Sequence, residues 1–247
     1  MAMTDEKQSL LDHIEELRKT LLKILIGLVV GVVVAAFFVK PILKFLATPI
    51  GGLEKLHAIE VTESVGVYMR IALLAGLLLA LPWIFYQLFR FVGKGLTEKE
   101  RKTILIAVPF ATLMFLGGVT FAYFIMLPAS LDFLIGILGI NTMIRVKSYY
   151  SFLTNLLFWI GISFEMPLIG YVLARFGLLK AKVMLKGWRV AIVVIAILAA
   201  VITPTSDPVN MAIFMIPLFV LYLLSIGLAA IAEKQRVKTK AATTTEV

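Results

Sequence analysis

The sequence predicts an all-α, polytopic membrane protein with six transmembrane helices, and three observations carry that expectation. Hydrophobic residues make up 61% of the chain and charged residues 16%, with a mean hydropathy of +1.00. The apolar residues fall into six separate stretches, and the basic residues gather in alternate connections between them. A water-soluble domain carries roughly 25% charged residues, so a soluble globule is excluded. Crossings of about 20 residues each consume a chain of this length. We therefore expect one transmembrane domain over residues 1–247, with residues 1–20 an amphipathic cytoplasmic N-terminus and residues 233–247 a disordered cytoplasmic tail. Cysteine is absent, which removes disulfide and thiolate chemistry.

In order along the chain, Leu10, Ile14, Leu17 and Leu21 recur at three- and four-residue spacing, with Asp12, Glu15, Glu16, Arg18 and Lys19 on the other faces. This is the pattern of an interfacial amphipathic helix, and its acids are either a solvated face or part of a cation-binding site. The apolar segments then run at Leu21–Val39, Val65–Val92, Ile104–Leu127, Phe152–Phe176, Trp188–Ile202 and Val209–Ala232. The first follows a polar stretch with no small-x-small cleavage pattern and reads as a retained helix. Between the first two, PILKFLA forms a short outward helix stopped by Pro49 and Gly51-Gly52; after Pro128, SLDFLIGIL forms another. Pro82 and Pro109 lie inside the second and third segments and are expected to bend them. The fifth segment has 15 residues, about 22 Å of helix against a hydrocarbon core of about 30 Å. It either stops short or borrows length from Lys186 and Gly187. The turn TPTSDP that follows is too polar for lipid and needs shielding or a thinned bilayer. Together these features predict short helices 5 and 6 and a concave, glove-like shell.

Orientation follows from charge. The N-terminal region, the connection between segments 2 and 3, the connection between segments 4 and 5, and the tail hold 17 Lys and Arg, against 5 in the remaining connections. The positive-inside rule then places both termini in the cytoplasm. The same distribution accounts for the formal charge of +9 without a nucleic-acid site, which would gather its basic residues on one patch. Only two histidines exist, His13 and His57, both outside the spans, and no HExxH, GxSxG or P-loop pattern occurs. Neither an enzyme nor a metal or cofactor site is expected.

Glu165 is the residue that most needs a reason. It stands in FWIGISFEMPLIGYVLARFG, deep within the fourth apolar segment, where an ionisable group costs roughly 2.5 to 3.5 kcal/mol on insertion scales. Two residues on, Pro167 lacks the N–H that would pair the Ser163 carbonyl. Carboxylate and kink therefore coincide. One reading is an intramembrane polar site in a water-accessible concavity. The other is a protonated acid hydrogen-bonded to a neighbouring helix.

Five stretches in register, HIEELRKTL at 13–21, LPWIFYQLFRFVGKGLTEKERK at 81–102, TFAYFIMLP at 120–128, SFEMP at 163–167 and TPTSDP at 203–208, resemble the TatC family, the multispanning receptor subunit of the twin-arginine protein translocase. The resemblance covers nearly the whole chain. It departs from the family pattern at Gly93-Lys94-Gly95, and TPTSDP is one residue longer than in some members.

The resemblance implies a core receptor in the cell (inner) membrane. It would bind twin-arginine signal peptides of folded cargo and organise their export with the proton gradient, alongside TatA and TatB single-span subunits, lipid and further copies of itself. By position, Glu16 and Glu100 match the glutamates associated with the arginine pair. Phe91 matches an aromatic residue of the same surface, and Leu17 and Arg18 flank Glu16. Glu165 matches the intramembrane acid, and Pro49 and Asp207 match outward-side functional positions. Physically, a planar guanidinium presents two donors to a carboxylate, so paired glutamates can tell arginine from lysine. Taken without the family, Glu100 in TEKERK also reads as a solvated residue in a helix start, with Glu98 and Lys102 spaced for an i,i+4 pair. The alternative function is a secondary transporter or proton-coupled permease with Glu165 as the coupling residue. Such folds usually repeat their halves, and segments 1–3 and 4–6 share no evident pattern.

Overall fold

A computed structural model describes the backbone over residues 2–92, 98–136, 143–203 and 208–245, and side chains over 14–91, 107–134, 143–203 and 208–236. Among these residues there are ten α-helices: α1 (Ala2–Ala36), α2 (Val39–Leu46), α3 (Glu63–Val92), α4 (Glu98–Phe121), α5 (Leu127–Gly136), α6 (Val146–Ser163), α7 (Met166–Phe176), α8 (Ala181–Lys186), α9 (Trp188–Ile202) and α10 (Pro208–Thr245). Five stretches are long and apolar enough to cross a bilayer: Ile14–Ala36, Glu63–Phe91, Ala107–Leu134, Val146–Phe176 and Pro208–Arg236. α9 is a shorter apolar helix with the bounds read from the sequence. The chain divides into two compact units, Met1–Leu113 and Met114–Val247.

In the first unit α1 and α3 pack antiparallel. Contacts step down α3 as they step up α1: Lys23 and Gly27 meet Trp83, Gly31 meets Gly76, and the Ala36 carbonyl accepts from the Tyr68 hydroxyl. Two small-residue ladders make this possible, Gly27-x₃-Gly31 on α1 and Ala72-x₃-Gly76-x₃-Ala80 on α3. A Cβ on Gly31 would stand 2.5 Å from the Gly76 carbonyl oxygen, and one on Gly76 2.5 Å from the Val32 Cα, so backbone meets backbone. Lipid offers no hydrophobic drive for helix association, and close van der Waals contact of this kind supplies the attraction instead. The N-terminal stretch expected as a separate interfacial helix is continuous with the first span in α1, since no Pro or Gly interrupts residues 2–26. α2 matches the short helix expected from PILKFLA; after it, the 3₁₀ turn Thr48–Ile50 stops at Gly51 and Gly52, whose φ of 90° and 110° only glycine adopts without strain.

The second unit is built around the α7–α10 pair. Gly170 lies against Ser225, whose hydroxyl donates to the Met166 carbonyl at 3.0 Å, and Ala174, Ala181, Ala229 and Ala232 form a small-residue core with Tyr171, Met184 and Ile226 around it. α9 buries only Ile195, Ala199 and Ile202, one stripe at helical spacing. Between α4 and α5 a π-helical turn at Ala122–Met126 keeps the chain helical past Pro128, whose missing N–H would otherwise break the ladder. The outward helix expected after Pro128 is thereby fused to the third span.

Two expectations about the last segment need correction. The sixth helix is not short: α10 has 38 residues, and residues 233–245, expected as a disordered tail, are helical within it. No glycine or proline follows Gly227, and Glu, Lys, Gln, Arg and Ala are good helix formers, so nothing in that stretch terminates the helix.

Gly76→Leu should separate α1 from α3 and lower the thermal midpoint of the purified protein, with an overpacking cost of about 1–3 kcal/mol. Gly66→Ala, where a Cβ meets nothing within 4 Å, should not lower the midpoint and should raise it slightly, since alanine favours the helix.

Candidate functional site

The first half of α1 and the last turns of α3 enclose an open concavity of about 290 Å³, lined by Glu15, Glu16, Lys19, Thr20, Lys23, Gln87, Arg90 and Phe91. Its walls are held in register by Trp83, one turn before Gln87. The indole N–H donates to the Lys23 carbonyl at 2.9 Å, and its ring sits on Gly27, where a Cβ would be 2.3 Å from the ring. The α1 face that carries Glu16 is thus fixed against the α3 face that carries Phe91. On α1, Lys19 pairs with Glu15 at 2.8 Å across one helical turn. The mixture of two carboxylates with three cations makes a site that favours a ligand able to satisfy the acids by directed hydrogen bonds, because net charge alone gives a cation no advantage there.

Of the residues singled out by sequence, Glu16 and Phe91 line this concavity together. Leu17 and Arg18 are exposed on α1 and are not among its lining residues. Glu100 is helical, in the first turn of α4, and its side chain lies outside the described residues. Asp207 lies outside them altogether, and Pro49 is exposed in a 3₁₀ turn, Thr48–Ile50. Sequence reasoning missed Thr20, Lys23, Gln87 and Arg90. Gln87 carried a signal: it is polar in an apolar run, four residues before Phe91, and is only 3% exposed.

Glu165 occupies a second polar locus. The fourth span is not one helix: α6 ends at Ser163, α7 begins at Met166, and Phe164 and Glu165 form a turn between them. Pro167, in the first turn of α7, has no N–H for the Ser163 carbonyl, which explains why the break falls here. Glu165 is the N-cap of α7 but its side chain makes no capping bond. It is buried, one carboxyl oxygen has no hydrogen-bond partner among the described residues, and the carboxyl faces the backbone amide of Phe115. Phe164 is seated on Gly118 and stacks near Phe121 with ring centroids 5.5 Å apart, while Phe115 is seated on Gly161. The acid therefore sits in an aromatic frame at a helix N-terminus, whose dipole favours negative charge. Among the described residues no cluster of three or more His, Cys, Asp or Glu could hold a metal.

These helices and the two polar loci between them define a multi-pass membrane protein. Residues 12–217 match the family model for the Sec-independent protein translocase protein (TatC), and the chain belongs to that family. TatCy of Bacillus subtilis (strain 168) is 36% identical over 244 residues, covering 97% of this chain and 96% of its own. TatC of Koribacter versatilis is 35% identical, covering 90% of this chain and 84% of its own. A crystal structure of the twin-arginine translocase receptor TatC superposes with a TM-score of 0.81 at 33% identity, covering 89% of this chain and 99% of that one. The family is one of non-enzymatic protein-transport components, in accord with the sequence.

Proposed function

We propose that this chain is the core receptor of a twin-arginine translocation system and that the α1–α3 concavity takes the arginine pair of a signal peptide. The observation that carries the reading is the juxtaposition of Glu16 and Phe91 in one concavity, a carboxylate to receive a guanidinium and a ring to pack against its planar face or against the adjoining apolar residue. Glu100, in the first turn of α4, is the second carboxylate of this proposal. In the same reading both termini face the cytoplasm, the membrane is the cell's inner membrane, and TatA and TatB are the partner subunits. The proton gradient drives export, and Glu165 meets a polar group on an inserted signal peptide or on a partner's membrane helix. Pro49 and Asp207 act on the outward side.

Glu16→Gln and Phe91→Ala should each weaken binding of a twin-arginine peptide by ten-fold or so, the loss of one charge-assisted bond or one buried ring. A twin-lysine peptide should bind the unmodified protein far more weakly. Equal affinity for the two peptides, measured by fluorescence anisotropy, would count against the site.

Because the chain lacks cysteine, single-cysteine variants report topology cleanly. Val61→Cys, at a position 96% exposed, should react with an impermeant maleimide on intact cells, and Lys180→Cys only after permeabilisation. The opposite pattern would invert the orientation.

Glu165→Leu should abolish export while leaving peptide affinity at the α1–α3 concavity unchanged, and Glu165→Gln should retain partial export because an amide still hydrogen-bonds. Normal export by Glu165→Leu would make the acid a tolerated passenger.

A further inference from the structure

Residues 175–189, which join α7 to α9, contribute to neither site described above. They carry Arg175, Lys180, Lys182, Lys186 and Arg189 and no acidic residue. Between these cations stand Leu178, Val183, Leu185 and Trp188, exposed at 76%, 58%, 59% and 48%. A loop in bulk water gains nothing by displaying four large apolar side chains, and a segment in hydrocarbon cannot hold five cations. The headgroup region at the edge of the acyl chains suits both sets.

The segment is also braced. The Ala181 N–H donates to the Glu233 carboxylate at 3.1 Å, the Tyr222 hydroxyl donates to the Met184 carbonyl, and the Tyr171 hydroxyl donates to Gln235 at 3.0 Å. Gly177 takes a φ of 78°, and the Arg236 guanidinium lies over its bare Cα where a Cβ would overlap it. Ala181 and Met184 face the small-residue core of α7 and α10, so the opposite side of α8, with Lys182, Val183, Leu185 and Lys186, is held outward in a fixed array. Among the described residues, Glu233 is the carboxylate seen bonded to the segment, through the Ala181 amide, and one acid cannot balance the five cations of residues 175–189. Arg189 lies 5.6 Å from the Trp188 ring centroid, which places a guanidinium beside an indole, the pairing that membrane interfaces favour. A zwitterionic headgroup brings its own cation and neutralises none of this charge; an anionic one does.

We propose that this braced α7–α9 connection is a docking surface for anionic phospholipid, its lysines and Arg189 taking headgroup phosphates while the apolar side chains between them enter the acyl boundary. The surface is built from α8, the start of α9 and the α7 and α10 residues that brace them, and does not rest on the peptide site.

The test uses the full chain reconstituted in vesicles of phosphatidylcholine with a minor fraction of photoactivatable lipid, either phosphatidylglycerol or phosphatidylcholine, followed by peptide mapping. Phosphatidylglycerol should label residues 178–189 several-fold more than phosphatidylcholine at equal mole fraction, and high salt should reduce that preference. Lys182→Gln combined with Lys186→Gln should remove most of it without shifting the thermal midpoint, since both side chains are exposed. Excess inorganic phosphate should leave labelling in place, because a free anion lacks the acyl chain that the apolar residues bind. Equal labelling by the two lipids, adducts confined to other segments, or full displacement by phosphate would each overturn the proposal.

Discussion

Side chains seated on bare glycine backbone hold both units of this protein together. In lipid, burying apolar surface between helices gains little, because the acyl chains are as apolar as leucine; contact distance decides instead. In the first unit Trp83 rests on Gly27, and Gly31 admits the Gly76 backbone. In the second, Phe164 rests on Gly118 and Ser225 on Gly170. At each of these positions an added methyl would meet an atom closer than real contacts allow. The polar loci inherit their geometry from these contacts. Glu16 and Phe91 line one concavity because the α1–α3 crossing is locked about two turns away on each helix, and Glu165 is framed because Phe164, its chain neighbour, is itself seated.

The polar groups then divide by how they are satisfied. Several hydroxyls return to their own helix, as when Thr154 donates to the Tyr150 carbonyl, Ser163 to Trp159 and Thr203 to Ala199, while Ser225 and Tyr68 each reach a carbonyl on a neighbouring helix. The first arrangement costs little in lipid, because no partner helix is needed. Glu165 has no such recourse. A carboxyl cannot be absorbed by a helix carbonyl unless it is protonated, and its position at the N-cap of α7 offers backbone donors that it does not use. An acid kept buried with an oxygen unpartnered among the described residues is costly in any fold, and that cost is what motivates the proposed binding role.

Much of this was legible from residue order. Apolar run lengths located the spans, and the fifteen residues of Trp188–Ile202 defined α9 to the residue, because Gly187 precedes it and a proline follows within two residues of its end. Pro167 announced the break beside Glu165. What stayed hidden depended on the third dimension. Nothing in the spacing of Lys23 and Gln87 says that α1 and α3 are antiparallel neighbours. Trp83 reads as an interfacial aromatic until its N–H is found on the Lys23 carbonyl. The length of α10 was misjudged for a different reason: polar composition after Ala232 was taken for disorder, when its residues are helix formers with no breaker among them.

That extension of α10 changes how the second unit works. A helix ending at the membrane edge would leave the α7–α9 connection as a free loop, with its cations mobile and its apolar residues able to fold back. Because α10 continues, Glu233 and Arg236 reach the connection at Ala181 and Gly177 and Gln235 accepts from Tyr171 of α7, all from the stretch past Ala232 that the hydropathy pattern excluded from the span. The span and its extension are one continuous helix. Ser225 and Ala229 of α10 pack on α7, while Tyr222 and Glu233 of the same helix hold α8. Any tilt of α10 against α7 must then move the charged array of α8 with it, since the same helix carries both sets of contacts. Packing inside the membrane and the position of basic charge at its surface are in this way mechanically one variable.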